Sequence, residues 1–345
     1  MILKVGELTI HSDLLEESIS QLSAQQLSIM PQWKQNVFTF LREWFDENDY
    51  IRAQTSGSTG KPKTIKLSKE SMRNSAKMTN EFFDLGNGQN ALLCMDARFI
   101  AGKMMIVRSL QADMNLTIVE PQSNLSDSLQ TAYDFSAMVP LQVKESIQAL
   151  DSIKTLIIGG GPVDADLESK LQEISTKCYS TYGMTETTSH VAVRAINGSD
   201  RNEYYNAMQG VSFSLSKEKT LVIDAPHLNV KSLKTNDVVE LQENSFKWIG
   251  RSDFTVNSGG VKLQPESIEK KISQFVNVPL YLTGTPDEKL GEKLIMYVES
   301  QENEAIKKGL ENAFQTLDQY EIPKEVIYRK SLERTKSGKI KRIVY

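Results

Sequence analysis

The stretch TLIIGGGPVDADLESKLQEI, residues 155–174, constrains the fold of this chain more than any other. The apolar run Thr155–Ile158 predicts a strand, the glycines after it predict a tight turn, and Leu167 and Leu171 mark one face of a following helix. A strand that passes through a turn into a helix is the repeating step of a mostly parallel sheet. Apolar runs separated by helical segments recur over residues 90–182, which are therefore expected to form an α/β domain.

The flanking regions have different patterns. The alternation from Ile2 to Ile10 predicts a strand, and the apolar spacing in residues 33–46 predicts a helix. Residues 204–250 are rich in short strand-like runs and predict a small barrel or antiparallel sheet, and beyond residue 253 helices and strands alternate again. The expected architecture is a large α/β domain, 1–252, which includes the strand-rich subdomain, followed by a small α+β domain, 253–345.

Composition excludes several classes of protein. The chain carries 40 basic and 44 acidic residues, whereas a nucleic-acid-binding protein usually carries a basic excess. No apolar run approaches the roughly 18 residues of a membrane helix. The first ten residues lack the basic and apolar regions of a signal peptide. A cytoplasmic protein is expected, without nucleic-acid binding or membrane insertion, in which Cys94 and Cys178 are buried thiols.

Residues 55–64, TSGSTGKPKT, combine hydroxyls, glycines and lysines between two short predicted strands. The loop differs from the phosphate loop of nucleotide hydrolases because Thr55 replaces its first glycine and Pro62 replaces its Ser or Thr. Backbone that can approach closely, hydroxyl donors and positive charge suit a polyphosphate. A solvated hairpin tip has the same composition, and the residues alone leave both interpretations open.

The stretch YSTYGMTETTSH, residues 179–190, follows an apolar strand. It is therefore expected at the carboxyl end of the sheet, where open α/β folds bind ligands. Glu186 could bind Mg²⁺, Thr185 could donate to a phosphate, and Tyr182 could stack on a base. An ordinary polar loop is the alternative.

Two later stretches add glycine turns and basic residues. In WIGRSDFTVNSGGVKLQPESIE, residues 248–269, Arg251 and Asp253 stand at the expected domain junction, and consecutive glycines permit a tight turn or close contact with a ligand. The tail RTKSGKIKR, residues 334–342, would present Lys339 on a turn, although a basic tail is usually only solvated.

Taken in order, these stretches resemble the core motifs of the acyl- and aryl-adenylating enzyme superfamily, which includes acyl-CoA synthetases and luciferases. GTPDEKLGE, residues 284–292, is similar to a further motif of that family. The resemblance covers residues 51–345. It implies two steps: ATP activates a carboxylic acid as an acyl adenylate, and coenzyme A then takes the acyl group. ATP, coenzyme A and Mg²⁺ are the implied co-substrates and cofactor.

The resemblance also implies roles for particular residues. Lys339, Thr185 and Glu186 would be catalytic, with Glu186 on Mg²⁺. Asp253 would be the hinge of a mobile C-terminal domain, and Gly259 and Gly260 would line the coenzyme A channel. The implied ATP site comprises Thr55, Ser56, Gly57, Ser58, Thr59, Gly60, Lys61, Gly160, Gly161, Pro162, Tyr182, Gly183, Asp237 and Arg251.

Within the superfamily the chain is most similar to the o-succinylbenzoate–CoA ligases of menaquinone biosynthesis, on the stretches SGGVKLQPESIE and FSAMVPLQ. It differs in lacking a family histidine near residue 100 and in having only 54 residues before the loop, which suggests a shortened N-terminal part. An acid with a second carboxylate needs a buried donor. The candidates are His190, ranked first, and Arg98, Lys103, Ser136 and Ser189. Another aryl or medium-chain acid, a non-catalytic nucleotide-binding paralogue and a homodimer all remain open.

Overall fold

The computed structural model describes residues 1–54, 64–334 and 340–343 of the chain, and it divides into two compact units. The first unit comprises Met1–Val163, Leu167–Ser212 and Asp224–Lys231. The second comprises Asp164–Asp166, Phe213–Ile223 and Ser232–Tyr345. The boundary expected at residue 252 stays a prediction.

Strands and helices alternate through the first part of the chain. Its elements are β1 Ile2–Val5, β2 Leu8–His11, α1 Leu15–Gln21, α2 Ala24–Ser28, α3 Gln32–Phe45, β3 Tyr50–Gln54, β4 Thr64–Ser68, α4 Lys69–Phe82, β5 Asn90–Leu93, α5 Ile100–Ala112, β6 Asn115–Ile118, β7 Tyr133–Met138, α6 Pro140–Glu145, β8 Ile153–Ile158, α7 Ala165–Lys170, β9 Lys177–Gly183, β10 His190–Ala195 and β11 Tyr205–Ala207.

The first unit is built on a mostly parallel sheet, as the strand–turn–helix pattern predicts. Its strands lie in the order β11-β10-β9-β8-β7-β5-β6-β1-β2. The pairs from β1–β6 through β8–β9 are parallel, whereas β9–β10, β10–β11 and β1–β2 are antiparallel. Side chains such as Phe38, Phe135 and Met104 form its dry core. The expected α/β fold is confirmed.

One local prediction fails at the amino terminus. The alternation from Ile2 to Ile10 was expected to form a single strand, but the chain turns back at Gly6 and makes the hairpin β1–β2. Gly6 has φ +60°, a conformation that glycine adopts without steric cost. The apolar alternation continues through the turn, so periodicity alone does not reveal it.

Helix α4 shows how the sequence fixes an element boundary next to the glycine-rich loop. The Ser68 side chain caps it by accepting from the Ser71 backbone N–H at 2.9 Å. Strands β3 and β4 pair antiparallel, Tyr50 with Ser68 through Gln54 with Thr64. The two strands predicted on either side of residues 55–63 are thereby confirmed.

The remaining elements lie mainly in the second unit. They are β12 Ser212–Leu215, β13 Thr220–Ala225, β14 Val230–Gln242, β15 Ser245–Arg251, β16 Val256–Ser258, β17 Val261–Leu263, α8 Pro265–Ile272, β18 Leu280–Asp287, β19 Gly291–Glu299, α9 Glu304–Phe314 and β20 Glu325–Arg329. Strands β14 and β15 pair antiparallel, and a separate sheet has the order β17-β16-β19-β18 with β20 parallel to β19.

Helices α8 and α9 pack on that separate sheet through Ile268, Ile272 and Leu310, which are buried with Leu282 and Met296. This agrees with the α+β character expected beyond residue 253. Among the described residues, no helix combines the length and apolar character needed to span a membrane.

Candidate active site

The turn between β9 and β10 is strained. Thr188 has φ +67° and ψ −45°, and the Ser189 N–H donates to the Thr187 carbonyl at 2.7 Å, which makes a γ-turn of the rare positive-φ form. Thr188 is also β-branched and buried, so this conformation costs of order 1–3 kcal/mol. Strain of this kind persists only where the surrounding structure imposes it, and it is common at ligand sites.

Gly183 explains why the turn tolerates no side chain at its start. It pairs with His190, and a Cβ at Gly183 would lie 2.3 Å from the Ser189 carbonyl oxygen and 2.5 Å from the His190 Cα. Both atoms belong to the backbone and cannot rotate away. The glycine therefore holds the strand ends close together at the carboxyl end of β9.

Thr185 and Glu186 lie in a short 3₁₀ turn, Thr185–Thr187, directly after β9. Thr185 is buried, whereas Glu186 is exposed and makes no ion pair with a described residue. An exposed carboxylate at this position fits a Mg²⁺ ion, which usually takes one or two protein carboxylates and completes its coordination with water and substrate phosphates. No group of three or more metal-binding side chains occurs in the part of the chain that the structure describes.

A buried polar cluster lies beside this turn, on α4, α5 and β10. We call Thr79, Arg108, Ser189 and His190 the Arg108 cluster. Arg108 Nη2 donates to Ser189 Oγ at 2.5 Å and lies 3.5 Å from His190 Nδ1. His190 Nε2 lies 3.2 Å from Thr79 Oγ1. Arg108 and His190 are 2% and 6% exposed.

The hydrogen bonds assign the protons of the cluster. Thr79 donates its hydroxyl proton to the Ser75 carbonyl at 3.0 Å, so its oxygen accepts from His190 Nε2. That leaves His190 Nδ1 as the acceptor that faces Arg108. Burial, and then the Arg108 charge, hold the pKa of His190 well below its usual 6.5. The imidazole is therefore neutral at physiological pH.

Arg108 has no acidic partner among the described residues, and its buried Nε has no hydrogen-bond acceptor there. Burial lowers the pKa of Arg108 to about 9, so the group still carries its charge at neutral pH. A buried cation is costly unless an anion compensates it. The cluster therefore has the chemistry of an anion site, and a planar guanidinium suits a carboxylate or a phosphate.

The structure brings together only some of the predicted acid-binding residues. His190 and Ser189 belong to the Arg108 cluster. Arg98 is exposed, with its guanidinium 3.5 Å from Asp96 and over the ring of Phe99. Lys103 and Ser136 lie elsewhere in the first unit, and the roles of all these residues in acid binding stay predictions.

The contacts of those last two side chains are structural. Lys103 is buried on α5 and lies 3.7 Å from Glu43 and 4.7 Å from the ring centre of Phe40. Ser136 donates to the Leu92 carbonyl at 3.0 Å inside the sheet. Neither contacts the Arg108 cluster.

Sequence reasoning missed Arg108, although a signal was present. The residue interrupts MMIVRSL, an apolar run in which the helix α5 buries nearly every side chain. A charge inside such a run is unusual because arginine is almost never fully buried without a partner. Its approach to Ser189 and His190 depends on the packing of α5 against β10, which no local pattern encodes.

The glycine turn after β8 adopts the geometry expected from the sequence. Gly160 has φ +78°, and a Cβ at Gly159 would lie 2.6 Å from Thr181 Oγ1. This turn and Tyr182, at the end of neighbouring β9, both lie at the carboxyl edge of the sheet. These described residues of the implied ATP site thus lie on one edge of the sheet, and their role stays a prediction.

The residues implied to hold the ribose meet within the second unit. Asp237 and Arg251 are paired across β14 and β15, with Oδ1 and Nη1 3.8 Å apart. Trp248 Nε1 also donates to Asp237, at 3.1 Å. Arg251 Nη2 donates to Asp253 at 2.6 Å, so the implied hinge residue contacts the implied ribose residue.

Gly259 and Gly260 form the two-residue turn of the β16–β17 hairpin, with φ +61° and +85°. Positive φ at both positions is the geometry that tight hairpins require. Predictions for the loop residues from Thr55 to Lys61, and for Lys339, lie outside the described residues.

Comparison with known proteins identifies the family. Residues 8–231 match the family of AMP-binding enzymes. The 2-succinylbenzoate–CoA ligase of Lactococcus lactis is 23% identical, over 96% of this chain and 78% of its own length. That of Listeria monocytogenes is 24% identical, over 84% of this chain and 68% of its own.

Solved structures of similar proteins agree with this family assignment. An AMP-forming acyl-CoA synthetase/AMP-acid ligase II-like protein from Dyadobacter fermentans is 32% identical, with a TM-score of 0.62, over 92% of this chain and 96% of its own. The o-succinylbenzoate coenzyme A synthetase of Bacillus subtilis, solved with ATP and magnesium, has a TM-score of 0.71 at 19% identity, over 84% of this chain and 68% of its own.

The chain belongs to the AMP-binding enzyme family. The resemblance inferred from its ordered motifs is confirmed, and with it the class of enzyme, an acid–thiol ligase of the AMP-forming type.

Proposed function

We propose that this enzyme converts ATP, o-succinylbenzoate and coenzyme A into o-succinylbenzoyl-CoA, AMP and diphosphate, as a step of menaquinone biosynthesis. The observation that carries the proposal is Arg108, a buried cation without an acidic partner among the described residues. o-Succinylbenzoate has one carboxylate to activate and a second on its ring. The second needs a buried donor, and Arg108 with Ser189 supplies one.

The neutral state of His190 supports the same assignment. Its Nδ1 accepts from the Arg108 side of the cluster and holds the guanidinium in a fixed orientation. A protonated imidazole would add a second cation beside Arg108 in a buried place. The cluster therefore keeps one positive charge, which matches one aryl carboxylate.

The first chemical step joins two anions, because a carboxylate oxygen attacks the α-phosphorus of ATP and the bond to the diphosphate group breaks. The resulting repulsion must be offset by fixed donors and positive charge. We assign Thr185 to the α-phosphate, Lys339 to the acid and α-phosphate, and Thr55–Lys61 to the β- and γ-phosphates. In the second step the thiol sulfur attacks the acyl carbon and AMP leaves.

Glu186 would hold Mg²⁺ together with substrate phosphates. When bound, the ion neutralises charge on the phosphate oxygens. Tyr182 and Gly160–Pro162 would wall the adenine, and Asp237 and Arg251 would bind the ribose hydroxyls. The hairpin glycines Gly259–Gly260 would line the path of the thiol arm.

We further propose that residues 253–345 change position about Asp253 between the two steps. Replacement of Lys339 by Ala is then expected to abolish adenylate formation and largely spare thioester formation from supplied acyl adenylate. The measurement is a comparison of the two half-reactions. Equal loss in both would contradict a change of position that withdraws Lys339.

The deciding experiment measures diphosphate release with ATP, Mg²⁺ and a panel of acids, with and without coenzyme A. The matched acid is 4-oxo-4-phenylbutanoate, which keeps the ring and succinyl carboxylate but lacks the ring carboxylate. o-Succinylbenzoate is expected to be the better substrate by at least tenfold in kcat/KM. Faster turnover of octanoate, benzoate or the matched acid would overturn the assignment, and no release with any acid would favour a non-catalytic paralogue.

A further inference from the structure

The ribbon β3–β4 carries two cations directly opposite each other. Arg52 on β3 pairs in register with Lys66 on β4, and both side chains are exposed. Like charges at directly opposed positions destabilise a strand pair. The arrangement is therefore unfavourable for the ribbon alone. Within the described parts of the chain, no third strand joins this two-stranded sheet.

Tyr50 partly offsets this repulsion. Lys66 Nζ lies 4.0 Å from the centre of the Tyr50 ring, and the Arg52 guanidinium carbon lies 5.9 Å from the same point. An aromatic face attracts cations but leaves their net charge in place. Neither Arg52 nor Lys66 forms an ion pair with a described residue, so two positive charges share one ring without a counter-charge there.

The charged pair has a defined position along the ribbon. Arg52 and Lys66 are two residues from Gln54 and Thr64, the last paired positions of the strands, a distance of about 7 Å. Thr64 is exposed and shares the face of Lys66, because side chains alternate along a strand. The face thus offers a hydroxyl donor and two cations in a row.

We propose that Arg52, Lys66 and Thr64 form an anion site for the phosphate chain of a nucleotide triphosphate or of free diphosphate. Two adjacent cations of different shape match a ligand with several charged oxygens better than a single carboxylate. The inference rests on the proposed function, since the same two strands lead into the segment assigned to the β- and γ-phosphates. The site itself lies on the described strands only.

The test measures direct binding by calorimetry of the full chain with inorganic diphosphate, ATP and AMP. The variant Arg52→Gln/Lys66→Gln is expected to bind diphosphate and ATP about three- to tenfold more weakly, the range for two exposed charge contacts. AMP affinity should change less than twofold, because AMP lacks the phosphate chain. A loss with ATP but not with diphosphate would assign the site to the nucleotide only.

Two control variants separate a site from general electrostatics. Arg52→Lys/Lys66→Arg keeps both charges and should retain diphosphate affinity within about twofold. Lys144→Gln/Lys154→Gln removes two exposed charges elsewhere in the first unit and should change nothing. The neutral variant should melt no lower than the parent, because it relieves the cross-strand repulsion.

Unchanged diphosphate binding in the neutral variant would overturn the inference, and so would an equal loss in the Lys144 and Lys154 control. These measurements need no acid and no turnover. If the chain binds diphosphate through Arg52 and Lys66 but activates no acid, the inference stands and the proposed function is refuted. If it activates acids but binds diphosphate independently of Arg52 and Lys66, the proposed function stands and the inference is refuted.

Discussion

The strand β10 has a buried arginine near each end, and the two have opposite surroundings. Arg108, from α5, lies beside His190 at the start of the strand and meets no acidic group among the described residues. Arg194, on the strand itself, binds both carboxylate oxygens of Glu168 at 3.1 and 3.2 Å. Burial alone would lower the pKa of either guanidinium, but the hydrogen bonds and charge of Glu168 outweigh it for Arg194 and raise its pKa.

The difference separates a charge that the fold itself pairs from a charge that meets no acidic group among the described residues. At Arg194 the fold supplies both partners of an ion pair, so nothing is left for a ligand. At Arg108 the fold supplies only the cation and neutral hydrogen-bond partners. A buried unpaired charge is costly. We therefore propose that a substrate carboxylate supplies the counter-charge of Arg108.

The largest effect on stability is expected from Arg194, the arginine that pairs with Glu168. Replacement of Arg194 by Met leaves Glu168 mostly buried beside only the exposed Arg201, and is expected to lower the free energy of unfolding by about 3 kcal/mol. Chemical denaturation measures this, and the acid KM should not change. The double variant with Glu168→Gln should recover part of the loss. Full stability of the single variant would contradict the structural role.

Replacement of Arg108 by Met should impair acid binding and leave the stability of the fold nearly unchanged. Removal of one side of a buried charge pair is expected to raise the KM for o-succinylbenzoate about 30-fold, while the KM for ATP and the stability of the fold stay near those of the parent. Steady-state kinetics with o-succinylbenzoate and 4-oxo-4-phenylbutanoate test this. If the variant loses activity toward both acids equally, Arg108 does not bind the ring carboxylate.

The smallest expected effect concerns the pH dependence of His190. The folded protein holds it neutral, while the unfolded chain titrates near 6.5, so acid favours the unfolded state. Between pH 6.5 and 5.5 this single group should remove about 1 kcal/mol of stability, none of which returns at lower pH. The stability of a His190→Gln variant should fall less over the same interval. Parallel curves would mean that His190 takes up its proton over the same pH range in the folded and the unfolded protein.

Much of the fold follows from local sequence. The strand–turn–helix unit that begins at Thr155–Ile158 is expected, because an apolar run, a glycine turn and an amphipathic helix follow one another within twenty positions. Ser68 caps α4 for the same reason, since a cap acts over three residues. Gly183 is a predicted site residue because of the motif around it, and only the structure shows the backbone atoms that exclude a side chain there.

The hairpin at Gly6 shows where local reasoning fails, because alternation continues through a turn that one positive φ creates. The candidates for acid binding show the limit more clearly. The sequence grouped His190, Ser189, Arg98, Lys103 and Ser136 by side-chain type, whereas in the structure only His190 and Ser189 lie beside Arg108. The role of all five in acid binding stays a prediction.

By itself, then, the sequence determined the α/β class, the strand–turn–helix steps and the motifs that mark an AMP-binding enzyme, because each of these depends on residues close together in the chain. Only the tertiary structure decided which charges are paired. Arg108 meets Ser189 and His190 across about eighty residues, and Arg194 meets Glu168 across a strand and a helix. Whether a buried charge finds its partner inside the fold depends on packing between elements, which the spacing of residues along the chain does not specify.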